Sequence, residues 1–216
     1  MKQFKFFVVL LAGLVLGGCA TNNKMDYSAF KESKPRSILV LPPLNNSPDV
    51  RATYSTLSQA TLPLAESGYY VFPVTLVDET FKQNGVTVPA DIHELPINKL
   101  REIFGADTAL YMTVKEYGSS YKVVSSDARV TLTAKLVDLR TGKEIWQGSA
   151  TASSAEGESN NSGLIGLLVK AVINQIVDNV SNRSHPVAGV ADNRLLFAGR
   201  PNGILYGPRS PKYGTD

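Results

Sequence analysis

Residues 37–50 read SILVLPPLNNSPDV, and this stretch decides the fold class. Its first half is an unbroken apolar run, Ile38 to Leu41, closed by Pro42 and Pro43. A half-exposed strand alternates in polarity, whereas a continuous run fits a strand buried on both faces, as in a parallel sheet covered by helices. The second half holds helix-start chemistry: Asn46 or Ser47 as a cap, Pro48 in the first turn and Asp49 at the positive end. Val50, Tyr54, Leu57, Thr61 and Leu64 then recur at helical spacing. Pro63 predicts a kink or restart, and Gly68 a stop. YYVFPV, residues 69–74, reads as the next strand. The unit is β-α-β with a short crossover, so its two strands are expected to be parallel neighbours.

Toward the C-terminus the helical signals come in pieces. Residues 76–84 form a short segment ended by Gly85. Ile97, Leu100, Ile103 and Phe104 make one face of another, stopped by Gly105. TALYMTV, residues 108–114, is a third buried strand. The pattern then changes to strict alternation in ARVTLTAKLVD, with Val130, Leu132, Ala134 and Leu136 on one face and Arg129, Thr131, Thr133 and Lys135 on the other. DLRTGKEIW turns the chain back, with Gly142 where a left-handed backbone is needed, and Trp146, Gly148, Ala150 and Ala152 share a face of the returning strand. Residues 110–153 therefore read as an antiparallel meander. A final helix is predicted over 163–182, interrupted by Lys170, Asn174 and Asp178 and so packed rather than membrane-spanning. Residues 185–216 hold four of the twelve prolines and five of the seventeen glycines. They read as an extended tail, too apolar at Leu195, Leu196, Phe197, Ile204, Leu205 and Tyr206 for a solvated one. The expected class is α/β: one layered domain with a mixed sheet flanked by helices, plus that tail.

Toward the N-terminus the chain carries an export signal. Lys2 and Lys5 precede an apolar run of about a dozen residues, short of the roughly 20 needed to span a bilayer. Leu16, Gly17, Gly18 and Cys19 then resemble a bacterial lipobox, with Gly17 standing where Ala or Ser is more usual. The small residues admit the peptidase to the backbone, and the thiol of Cys19 is the nucleophile that takes the diacylglycerol. This implies cleavage between Gly18 and Cys19. Two or three acyl chains on one residue anchor a protein stably, since one gives only marginal binding. Ala20 follows Cys19 where an inner-membrane retention signal would place Asp, which implies sorting to the outer membrane, facing the periplasm. ATNNKMDYSAFKESKP, residues 20–35, is polar and aperiodic and reads as a tether.

The composition limits what the domain can be. The formal charge of +3 includes the two signal lysines, and no basic patch suggests nucleic acid. The only cysteine is Cys19, so no intrachain disulfide braces the core. His93 and His185 stand alone in loop contexts, which argues against a metal site. No nucleophile elbow or phosphate loop is present, and Asp127 and Asp138 read as turn caps. No cofactor is implied. Catalytic groups need not be adjacent in sequence, so a periplasmic enzyme or small-ligand carrier stays open beside a non-enzymatic role.

Five blocks carry a family likeness: SILVLPPLNNSPD, LPLAESGYYVFPV, LREIFGAD, KLVDLRTGKEIWQGSATASS and PNGILYGPRSPKYG. Together the chain resembles a family of Gram-negative lipoproteins typified by a neisserial surface-antigen candidate. The resemblance implies a fold related to the curli-secretion pore lipoprotein, the amino-terminal domain of TolB and auxiliary lipoproteins of ABC-type transport. It brings no catalytic residues. It implies a lipid-anchored interaction or assembly module of a transport or secretion complex, with envelope protein partners or a homo-oligomer. The expected organisation is a signal peptide over 1–18, a tether over 19–35, a domain over 36–184 and a tail over 185–216. In that tail Leu196, Phe197, Ile204, Leu205 and Tyr206 are the candidate partner-binding residues.

Overall fold

Ile38, Leu39 and Val40 are all fully buried, as the unbroken run predicts. They form strand β1 (Ser37–Val40), the most protected strand of a mixed sheet. In the computed structural model, which describes residues 25–122, 125–157 and 183–216, β1 pairs in parallel with β3 (Tyr70–Val71) and with β4 (Thr108–Lys122). A two-residue strand β2 (Leu44–Asn45) also pairs in parallel with β4. From β4 onward the sheet is antiparallel, through β5 (Ser125–Asp138) to β6 (Glu144–Ser153). The main order is β3-β1-β4-β5-β6.

The helices divide the core in two. Helix α1 is Ser28–Ser33, α2 Ala52–Glu66, α3 Val74–Gln83, α4 Pro89–His93, α5 Ile97–Phe104 and α6 Ser184–Leu196. Ile38 and Val40 point into one apolar cluster with α1, α2 and α6, together with Leu132, Leu136 and Trp146 from the meander. Leu39 and Leu41 point into the other, with Val77, Phe81, Ile92 and Leu100 from α3, α4 and α5. Both faces of β1 are therefore dry. Among the described residues the meander is covered on one face, by the first cluster, and that asymmetry matches its alternation.

Local signals hold where they rest on backbone chemistry. Gly68, Gly85, Gly105 and Gly142 all have positive φ. Gly105 closes α5 in the left-handed conformation, donating its N–H to the Arg101 carbonyl at 2.8 Å. The crossover helix differs from expectation. It begins at Ala52, neither Asn46 nor Ser47 caps it, and Asp49 instead accepts the N–H of Arg51 at 2.9 Å. Val50 and Tyr54 are exposed, while Thr53, Ser55, Thr56, Leu57, Ala60 and Leu64 are buried. The helix meets both the sheet and α6, so its buried stripe is broad and small polar residues occupy the helix–helix side. Pro63 lies inside α2 without ending it.

The chain ends are the main correction. Residues 25–35 are not free tether: α1 packs Phe30 into the core, and Ser33 is buried against Asp138. The region from 185 is not wholly extended either. Its first part is α6, whose Val187, Ala188, Ala191, Leu195 and Leu196 join the core. Only from Phe197 onward does the chain run as turns and extended segments, lying across its own domain. The expected helix over 163–182 and the signal segment lie outside the described residues, and no described helix is long and apolar enough to cross a membrane.

Candidate functional site

The uncovered face of the meander is the most distinctive surface. Register aligns Tyr111 with Lys135 and Gln147, then Thr113 with Thr133 and Ser149. Thr131 and Thr151 form the next row, their hydroxyls 3.0 Å apart, and Thr131 donates to Glu116 at 2.7 Å. At one end α4 leans over the strands and leaves an open groove of about 670 Å³ beside His93, Glu94, Tyr111 and Lys135. His93 sits edge-on to Tyr111 at 5.2 Å and donates its Nε2–H to the Pro42 carbonyl at 3.0 Å. The Lys135 ammonium lies 5.3 Å above the Tyr111 ring. Burial lowers the His93 pKa, and the Lys135 charge adds to this against the Pro42 bond, so the ring stays neutral near pH 7. The groove thus carries one fixed cation, one carboxylate and many hydroxyls on a rigid sheet, which suits a polar partner surface better than an apolar ligand.

On the opposite side the segment from Met25 meets the C-terminal segment at Asn202. Asn202, a non-glycine residue at φ 56, turns its carbonyl onto the Trp146 Nε1–H at 3.2 Å and its side chain onto the Met25 N–H at 3.0 Å. Tyr27 donates its hydroxyl to the Gly203 carbonyl at 2.5 Å. Below them Asp138 accepts from Ser33, Arg140 and the N–H groups of the β5–β6 turn. Burial alone would raise its pKa, but the Arg140 and Ser33 bonds outweigh it and bring the carboxyl down to about 2. Asp127 caps the far end of the strand in the same way, accepting from Ser153 at 2.5 Å and Ser154 at 3.2 Å. Both aspartates are the turn caps expected of them.

One pairing escaped sequence reasoning. The Ser55 hydroxyl lies 2.7 Å from His185 Nδ1 and accepts from the Tyr117 hydroxyl at 2.8 Å, although 130 residues separate serine and histidine. Gln59 holds the same ring, donating to the His185 carbonyl at 2.9 Å. Among the described residues the bonds of His185 run to Ser55 and Gln59, with no carboxylate to orient it, and Ser55 is buried at 9% exposure. This is a polar seam between α2 and α6, and only the tertiary contact reveals it. Among the described residues no group of histidine, cysteine or carboxylate side chains is placed to hold a metal ion.

Of the expected site residues, Gly18 and Cys19 lie outside the described residues. Leu196, Ile204 and Leu205 are buried in the chain's own core, so the folded domain does not offer them to a partner. Phe197 and Tyr206 are half-buried on the same segment.

A family model described as "Putative lipoprotein GNA1162-like" matches residues 25–209. The chain is 52% identical over 203 residues to "Putative lipoprotein NMB1124/NMB1162" of Neisseria meningitidis serogroup B, covering 93% of this chain and 94% of that protein. Among solved structures, lipoprotein GNA1162 from Neisseria meningitidis aligns with TM-score 0.55 and 54% identity, over 67% of this chain and all of that one. The LpoB C-terminal domain from Salmonella enterica aligns at TM-score 0.40 and 19% identity, over 60% and 96% respectively.

Proposed function

The chain belongs to the GNA1162-like lipoprotein family, and on that premise we propose that it is a non-enzymatic accessory module of the Gram-negative envelope. Lipid on Cys19 holds it to the outer membrane, facing the periplasm, after cleavage behind Gly18. Protein partners of a transport or secretion assembly, further copies of the chain included, bind the uncovered face of the meander.

The observation that carries this reading is that face itself. Three long strands present Tyr111, Thr113, Thr133, Lys135, Gln147 and Ser149 in register, with no helix of the described residues over most of them. A rigid sheet loses little entropy on docking, so such a surface suits recognition.

A photo-crosslinking residue placed at Thr133 in cells tests it, with the exposed helical position Leu76 as control. A discrete crosslinked partner at Thr133 and none at Leu76 is expected. Equal labelling at both positions removes the face from consideration. Mass spectrometry of the mature chain tests the anchor separately. A Cys19→Ser chain is expected to lack acylation and keep residues 1–18, and a free Cys19 thiol on the mature protein would refute the anchor.

A further inference from the structure

A second concavity lies on the other side of the molecule, between α1 and the C-terminal segment. It measures about 250 Å³, and its apolar wall is built by Phe30, Tyr69, Leu205 and Tyr213. Phe30 and Tyr69 are only 4% and 3% exposed, so the wall is rigid, whereas Tyr213 at the lip is half-exposed. The Tyr69 hydroxyl is turned away from the groove's apolar character, donating to the Leu205 carbonyl at 2.5 Å.

Two lysines stand on the rim, Lys31 and Lys34. Lys31 is engaged, donating to the main-chain oxygen of Asp216 at 3.2 Å. The Asp216 side chain accepts the Tyr206 N–H at 2.7 Å. Lys34 is exposed and makes no ion pair among the described residues. Its backbone adopts φ 49 and ψ 55 at the end of α1, a left-handed conformation that glycine tolerates far better than lysine. The fold by itself therefore favours glycine at this position, and the ammonium is what lysine adds.

The position of the groove relative to the anchor identifies its occupant. Met25, the first described residue, is bonded to Asn202 and is six residues from Cys19. At about 3.3–3.6 Å per residue, that tether reaches at most about 21 Å. The groove is on the helix that follows directly, so it is confined to the bilayer's vicinity. We infer that the groove takes one acyl chain of a membrane phospholipid, with the lipid phosphate on Lys34. The apolar wall fits a hydrocarbon chain, and the rim supplies the cation at its mouth. Two lysines and the one Asp216 side chain on this rim leave one positive charge over, which suits the phosphate that zwitterionic and anionic phospholipids share.

This inference rests on acylation at Cys19, and the experiment separates the two. The full acylated chain is reconstituted into vesicles of phosphatidylethanolamine and phosphatidylglycerol containing a trace of phosphatidylcholine with a diazirine on one acyl chain. After irradiation, crosslinks are mapped by mass spectrometry on chain that floats with the vesicles. Label on Phe30, Leu205 or Tyr213 is expected. Lys34→Gly, which suits the backbone and so folds, is expected to lower that label about fivefold, the effect of one surface cation beside a phosphate. Tyr213→Ala, an exposed change, is expected to lower it as well. Floating chain with label elsewhere, or groove label indifferent to both substitutions, overturns the groove. Chain that does not float refutes the anchor, and the groove's occupant with it.

Discussion

Gly207 donates its backbone N–H to the carbonyl of Ser67 at 2.8 Å, and two residues on Arg209 does the same to Gly68 at 3.0 Å. The C-terminal segment is thereby fastened to the corner between α2 and β3. The fit is close: a Cβ on Gly68 would meet the main chain of Ser210 and the Gly207 carbonyl, and its φ of 96 already demands glycine. Ser67 completes the corner by accepting the Ala198 N–H on its hydroxyl at 2.8 Å.

Gly68→Ala is accordingly expected to detach the segment from 203 onward and to lower stability by about 1–3 kcal/mol, combining backbone strain with overpacking. Limited proteolysis checks it: cleavage within 203–213 should accelerate before the domain unfolds. Wild-type cleavage kinetics in that segment would show that the corner tolerates a side chain.

Asp138 makes stability pH-dependent on the acid side. Its folded pKa of about 2 is below the ordinary value of 3.8, so the folded state favours the charged form. The stabilisation, about 2–3 kcal/mol, is fully present above about pH 5 and is lost as pH falls toward 2. Asp138→Asn is expected to cost about that much at pH 7 and about half as much at pH 3. Denaturant melts at the two pH values measure the difference. An equal cost at both would assign the effect to packing instead of charge.

Asp192 has the opposite sign. Its side chain is fully buried in α6, neither carboxyl oxygen has a hydrogen-bond partner among the described residues, and burial raises its pKa well above 3.8. The folded state therefore holds the proton while the unfolded state releases it above about pH 4, and stability declines as pH rises from there. Asp192→Ala, which removes the carboxyl and adds no volume, is expected to stabilise the domain at pH 7 by about 1–3 kcal/mol, the usual penalty of an orphaned polar group. The gain should shrink toward pH 4. A loss of stability at pH 7 would mean that the carboxyl is satisfied in solution.

Trp146 is 3% exposed, and its indole N–H reaches the Asn202 carbonyl. The ring fills the space that Gly148 leaves, close to Leu195 of α6. Trp146→Ala is expected to cost about 3–5 kcal/mol, mostly through the cavity. Chemical denaturation followed by far-ultraviolet circular dichroism reads it, since the only tryptophan is removed. A change below about 1 kcal/mol would mean that the site collapses around the missing ring.

The sequence by itself determined whatever depends on periodicity or on a single residue's backbone. The unbroken Ile38–Leu41 run required a strand buried twice, and both faces of β1 are dry. Alternation from Ala128 to Asp138 required a half-covered strand, and Gly105 and Gly142 marked the left-handed turns. These signals are local because a strand's period of two and a glycine's freedom are properties of a few consecutive residues. What the tertiary structure decided is everything that joins distant segments. Ser28–Ser33 looked like tether because a two-turn helix with one buried aromatic, Phe30, has too little pattern to read. The helical start of the C-terminal region was hidden by Pro186 and Gly189, residues that weaken an isolated helix but here fit its first turn and its contact with Gln59 of α2. The Ser55–His185 contact, the Asp192 carboxyl and the groove over Phe30 and Tyr69 have no signature in sequence. Each exists only because packing brings together groups more than a hundred residues apart, or removes one from water, and burial alone decides what such a group does.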